Sequence, residues 1–313
     1  MSNKLRHILV ISMLLFAPTS AFASFSYNDV KQLPKLPGSV SELTYEQRHQ
    51  WLQDQIKKQT SPVELYLLRR EQAFNHFNHK QIQTGIRTCK EVEPLTDDFH
   101  FREVCIKYVY PEYEEFIPRS LQLVHDAKQN NDVLSAVRVL MNIAWRQSNF
   151  GDIAGSYASY ETALSIAPAD DSPLLTTIML DTASNYIVHG NDKYIQKGIQ
   201  LLQRVREDNV KALKTATDDN YIAWHKENIQ LADYNTGISY LLHLQQYNKA
   251  LIYLDKVNSS ENKFIIGSLV FSAYAAAKSK QFDRSKNYMV QLGGRKKNNP
   301  VADRYLSCYL ELS

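Results

Sequence analysis

The stretch from Ala136 to Pro168, AVRVLMNIAWRQSNFGDIAGSYASYETALSIAP, constrains the fold most. It reads as two amphipathic helices joined by a tight turn at Asn149–Asp152. Leu140, Ile143 and Ala144 mark one face of the first helix. Ser156, Tyr160 and Ala163 mark one face of the second, and Pro168 closes it. Ala144 and Ser156 fall where two helix backbones would meet, and bulkier side chains there would push them apart. One such pair cannot bury its own apolar face, so neighbours of the same kind must stack on it.

The pattern does recur. A small residue, a bulky residue four positions on and an apolar residue three further begin at Gly85, Ser120, Ser156, Gly198, Ala250 and Ser285. The steps between them are 35, 36, 42, 52 and 35 residues. The preceding helices carry a small residue at the matching place in Ala73, Ala144, Ala183 and Ala273; Ile238 breaks that rule and predicts looser packing. The two long steps predict a lengthened turn at His189–Asp192 and longer helices or an added turn over roughly Glu207 to Trp224. Thr44-x-x-Gln47 is a capping box that starts an earlier helix carrying Trp51, Leu52 and Ile56. Ser61-Pro62-Val63-Glu64, Ser172-Pro173 and Asn299-Pro300 are further helix starts.

The spacing L-x2-I-A-x2-Q at Leu140–Gln147 and S-x3-Y-x2-A-x4-P at Ser156–Pro168 resembles the tetratricopeptide repeat, a helix–turn–helix unit of about 34 residues. The resemblance covers about residues 62–295, although no unit carries the full signature. It implies an all-α fold: a right-handed α-solenoid of about six degenerate helix pairs over residues 42–313, closed by a capping helix at Pro300–Leu312. It also implies that the first helix of each pair lines a concave groove holding a protein or peptide. Carrying the groove phase over gives Arg70, Phe74 and Phe77 in the first pair, and Arg138, Met141, Trp145 and Asn149 in the third. Asn235 and Ser239 follow in the fifth, then Tyr274 and Lys278 in the sixth. Arginine can fork onto a carboxylate, amides can bond a peptide backbone, and Trp or Tyr can anchor an apolar side chain. Phe74, Met141 and Trp145 fit an inter-repeat core equally well.

Composition narrows the partners. A net charge of +3 over 313 residues is far from the basic balance of a nucleic-acid binder. Ten glycines, about half the usual frequency, and no β-branched alternation argue against a β-rich fold. Lys4, Arg6 and His7, the apolar run Ile8–Phe16 and Ala21-Phe22-Ala23 form a signal-peptide pattern with cleavage expected after Ala23. Residues 24–41, with Pro34, Pro37 and Gly38, read as a linker or extended arm. The expectation is a periplasmic protein without stable membrane insertion. The layout is similar to periplasmic sensor regions of bacterial diguanylate cyclases and histidine kinases, so the alternative expectation is a sensory-ectodomain-like or truncated relative of such a protein that modulates signalling, with an envelope signalling protein as an expected partner. In an oxidising compartment Cys89 and Cys105, placed almost symmetrically about Thr96-Asp97-Asp98, are expected to form a disulfide; two buried thiols fit equally well. Cys308 would then be unpaired.

No catalytic constellation stands out, and neither a cofactor nor a metal is expected. His76-x2-His79 reads as a histidine pair in a surface turn. Asp97-Asp98, Asp170-Asp171 and Asp218-Asp219 read as supports for helix N-termini. Gly293-Gly294-Arg295-Lys296-Lys297 reads as a turn with a solvated basic patch. Glu103, Glu161 and Glu227 sit in no recognisable motif.

Overall fold

The computed structural model describes residues 42–58, 62–93, 98–169, 172–259 and 263–294. The signal-peptide pattern, the arm, Ser61, Asp97, Asp170-Asp171, Arg295–Lys297, the capping helix and Cys308 lie outside them. The described residues form thirteen α-helices and no strand. The chain divides into two compact units, Met1–Pro168 and Ala169–Ser313. The first holds α1 (Tyr45–Lys58), α2 (Pro62–Asn78), α3 (Ile82–Val92), α4 (Phe99–Val109), α5 (Tyr113–Gln129), α6 (Val133–Asn149) and α7 (Ile153–Ile166). The second holds α8 (Ser172–His189), α9 (Asp192–Leu213), α10 (Asp219–Ile238), α11 (Tyr247–Asn258), α12 (Ile265–Lys278) and α13 (Phe282–Gly294). Helices α2 to α13 are the six expected pairs, and α1 precedes them. In each unit the architecture is a run of α-solenoid.

Local chemistry sets the helix starts. The Thr44 backbone N–H donates to the Gln47 side chain and the Gln47 N–H to the Thr44 hydroxyl, the reciprocal capping box. Asp98, Asp132, Asp152 and Asp218 accept from the backbone N–H three residues on, and Asn191 from those of Lys193 and Tyr194. Asp98 and Asp218 are thus capping residues.

Helix ends are equally regular. Lys80, Asn131, Gly151, Gln245 and Lys280 all adopt positive φ, the left-handed turn that closes an α-helix. At four of them the next N–H bonds the carbonyl five residues back: Gln81 to His76, Asp132 to Ala127, Asp152 to Gln147, Gln281 to Ala276. At the fifth, Gln246 reaches Tyr240, six residues back. The extra residue is held in a π-helical turn at Ser239–His243 that continues α10.

That π-turn explains Ile238. The close helix approach falls one residue earlier, at Gly237, where an added Cβ would lie 2.7 Å from Leu254 Cγ. Packing there is tight, contrary to the expectation, because glycine takes the contact and the π-turn restores the register. Elsewhere the small residues meet as expected. Ala73, Ala144, Ala183 and Ala273 are fully buried. The Ser156 hydroxyl donates to the Ala144 carbonyl at 2.7 Å and that of Ser285 to the Ala273 carbonyl at 2.8 Å.

The long steps go into helix. The His189–Asp192 turn is short rather than lengthened: only Gly190 and Asn191 separate α8 from α9. An added Cβ at Gly190 would sit 2.2 Å from the Tyr186 carbonyl oxygen, so only glycine fits so abrupt a reversal. The extra residues lengthen α9 to 22 residues and α10 to 20. Gly293 and Gly294 end α13 rather than forming a turn before another helix.

Candidate functional site: the first-helix face of the N-terminal unit

The candidate site is built on α6, on its neighbour α4 and, beyond α4, on α2. Arg138, Asn142, Trp145 and Asn149 repeat at four- and three-residue spacing, so they form one stripe on α6. Behind the stripe Ala136, Val137, Leu140, Ile143 and Ala144 are buried and hold the helix. Trp145 is 50% exposed, although burial of an indole is strongly favoured. Asn149 is exposed and Arg138 half-buried.

Polar and aromatic groups continue the stripe across the other two first helices. The Asn142 amide donates to the Glu103 carboxylate on α4. Glu103 lies 3.8 Å from the His100 imidazole. The His100 ring is 5.9 Å from that of Phe74 on α2. Phe74 is half-buried, edge-on to Phe101 and under the Arg70 guanidinium. Phe74, His100, Glu103 and Asn142 thus link three helices, with Trp145 next on the α6 stripe. His100 and Asn142 escaped the sequence reading, which named Glu103 but gave it no place in the groove. Asn142 shares the Arg138–Trp145 stripe, but its partner lies 39 residues away.

Four expected groove residues are in the interior. Arg70 is 1% exposed and donates to Asp98 at 2.8 Å and Glu71 at 3.1 Å. Asp98 also accepts from the Tyr66 hydroxyl at 2.8 Å, so this arginine ties α2 to the start of α4. Phe77 is buried and stacks on Tyr108. Met141 is buried. Ser239 is buried, its hydroxyl donating to the Asn235 carbonyl as part of the π-turn. In the C-terminal unit Asn235 and Tyr274 are half-buried and Lys278 is exposed over the Tyr274 ring. The open members of the expected face are therefore concentrated on α6.

Two supports hold the region. Cys89 and Cys105 form a disulfide between α3 and α4 within a core of Ala73, Phe77, Val92 and Phe101. At the far end of α6, Asp152 accepts from the Gly155 backbone, the Tyr113 hydroxyl and the Gln147 amide. These bonds, the Gly155 N–H first, hold its carboxyl below the usual range. His76 is buried, which corrects the surface-turn reading, whereas His79 is exposed. Among the described residues no cluster of three or more His, Cys, Asp or Glu is arranged to hold a metal.

No protein family matches the chain by sequence pattern, and no curated protein matches it in sequence. Solved structures do match. The apo form of RapI is similar over 87% of this chain and 77% of its own, at 14% identity and a TM-score of 0.64. The apo quorum sensor NprR from B. thuringiensis is similar over 85% and 75%, at 12% identity and a TM-score of 0.53. A signal transduction ATPase with a tetratricopeptide repeat sensor, from Pyrococcus horikoshii, covers 87% of this chain but only 42% of its own length, at 13% identity and a TM-score of 0.56. The chain has a tetratricopeptide-like helical-repeat fold. No helix among the described residues is long and apolar enough to cross a membrane.

Proposed function

We propose that this chain is a non-catalytic, exported scaffold of the periplasm that binds an extended protein or peptide segment on the first-helix face of its N-terminal unit. The observation that carries the reading is Trp145. A large apolar ring stands half in solvent on a stripe with Arg138, Asn142 and Asn149, on a helix whose opposite side is fully packed. Tryptophan and arginine are enriched among the residues that carry interface binding energy. Export is supported by the N-terminal charge and apolar pattern and by the Cys89–Cys105 disulfide, which persists in oxidising compartments.

NprR is a quorum sensor and the Pyrococcus protein carries a repeat sensor, which favours a second reading. Here the same face reports a ligand to a signalling partner of the envelope, as in the sensor regions the layout resembles. The two readings share the site and differ in the consequence of binding.

Trp145→Ala tests the site. Truncation of a half-exposed side chain changes stability by less than about 1 kcal/mol, while loss of an interface anchor weakens binding by tenfold or more. The assay is capture of envelope proteins by wild type and variant at equal thermal stability. Equal capture by both removes the face from consideration.

A further inference from the structure

The N-terminal helix meets the first pair through imidazoles. Tyr45 and His49 on α1 face His76 and His79 at the end of α2. The Tyr45 ring stacks on His49 at 5.9 Å and lies 5.0 Å from His79; the His49 and His76 rings are 5.0 Å apart. The Tyr45 hydroxyl is 3.0 Å from His76 Nδ1. His76 is 1% exposed, and the neighbouring Asn75 is buried with neither amide atom hydrogen-bonded. His49 Nδ1 is also buried without a partner. A charge on the buried His76 ring would have little at this junction to compensate it.

The charged surroundings do not favour a cation. Arg48 of α1 pairs with Glu71 of α2, which also receives Arg70. Lys80 follows in the turn, and Glu46 on α1 is exposed. Among the described residues no carboxylate lies within ion-pair reach of His49, His76 or His79. Burial, and then the neighbouring His49, lower the His76 pKa from 6.5 to about 4.

We propose that α1 is an acid-released clasp. Its docking on α2 requires the buried His76 to be uncharged, and protonating that ring frees α1 while α5, α6 and α7 stay folded. The ligand is the proton. The inference stands apart from the groove reading, since it concerns the contact of α1 with α2 and holds whether or not Trp145 binds a partner.

The direction comes from linkage. A ring that titrates lower when docked than when exposed takes up its proton on release. Docking therefore weakens as pH falls from about 6.5 towards 4, with no further loss from this group below that. For His76 alone the release equilibrium rises on the order of a hundredfold between pH 7 and pH 4.

Amide hydrogen exchange on the full chain, corrected for the intrinsic pH dependence of exchange, tests this. The expected result is that Tyr45–Lys58 loses protection on that scale between pH 7 and pH 4 while Tyr113–Ile166 keeps it. His76→Gln, which cannot charge, should reduce the response to tenfold or less. Because this variant could free α1 at every pH, NMR titration of the wild-type imidazoles is the second measurement. His76 should remain neutral at pH 6 and protonate over the range in which α1 loses protection. Equal α1 protection at pH 4 and pH 7, an undiminished response in a docked His76→Gln, or a His76 ring already charged at pH 6 overturns the clasp.

Discussion

The two units solve one packing problem differently. In the N-terminal unit the repeat steps are 35 and 36 residues, α2, α5 and α6 end in left-handed turns of one geometry, and a disulfide crosses from the first pair to the second. Of the two long steps, one leads from Ser156 into the C-terminal unit and the other lies within it, where α9, α10 and the π-turn take up the surplus. The surplus also brings in polar groups: His225 Nδ1 lies 2.6 Å from the Asn209 side-chain oxygen, and Asn209 reaches Thr176. Both units keep small residues at the helix contacts. Backbone approach is the invariant, and helix length is what the fold lets vary.

Each unit also has a buried ion pair, and removing one arginine should show the largest contrast. Arg70 is 1% exposed, so Arg70→Ala leaves Asp98 without its cation and costs about 3–5 kcal/mol. Arg206 grips Asp233 with two contacts at 3.0 Å but is 34% exposed, and Lys256 stands 3.7 Å from the same carboxylate. Asp233 is buried, but Lys256 still faces it after Arg206→Ala, so the cost should be that of lost hydrogen bonds to a charged group, about 1.5–3 kcal/mol. Urea unfolding of both variants, followed by hydrogen exchange in each unit, measures the difference. Equal losses would mean that burial does not separate the two pairs.

Reduction comes next. A cross-link closing a loop of 16 residues contributes about 3 kcal/mol. Dithiothreitol should therefore destabilise the N-terminal unit and leave protection of α9 and α10 unchanged. Native alkylation followed by mass spectrometry checks the starting state: labelling of both Cys89 and Cys105 before reduction ends this prediction.

The smallest effect concerns the caps. Asp152→Ala removes a helix cap and the acceptor of Tyr113 and Gln147, costing about 1–2 kcal/mol. Since the folded state holds this carboxyl below its usual range, its contribution is complete above the ordinary pKa and fades as pH falls through the folded value. Wild type and variant should therefore converge in stability on acidification. Asn191→Ala, which removes only backbone bonds at the start of α9, should cost no more than about 1 kcal/mol. Thermal melts across pH 3–7 would show both.

The pairing of helices was legible because it rests on near-neighbour sterics. Ala144 and Ser156 stand twelve residues apart across one turn, and their size permits one arrangement. Ile238 misled the reading because a π-turn changes register without leaving a clear mark in the sequence. The candidate face was only partly legible. Trp145 and Asn149 are open, whereas Phe77 and Met141 share the same helical phase and are buried. Helical phase gives direction; a neighbouring helix decides whether anything covers that direction.

By itself, then, the order of residues determined where helices begin, which of them pair and which positions must stay small, because each depends on contacts within a few turns of chain. Tertiary structure alone decided that Arg70 is a strut, that Asn142 meets Glu103 and that His76 is roofed by α1. Their partners lie 28, 39 and 31 residues away, and only the stacking of one helix on another brings such groups within bonding distance.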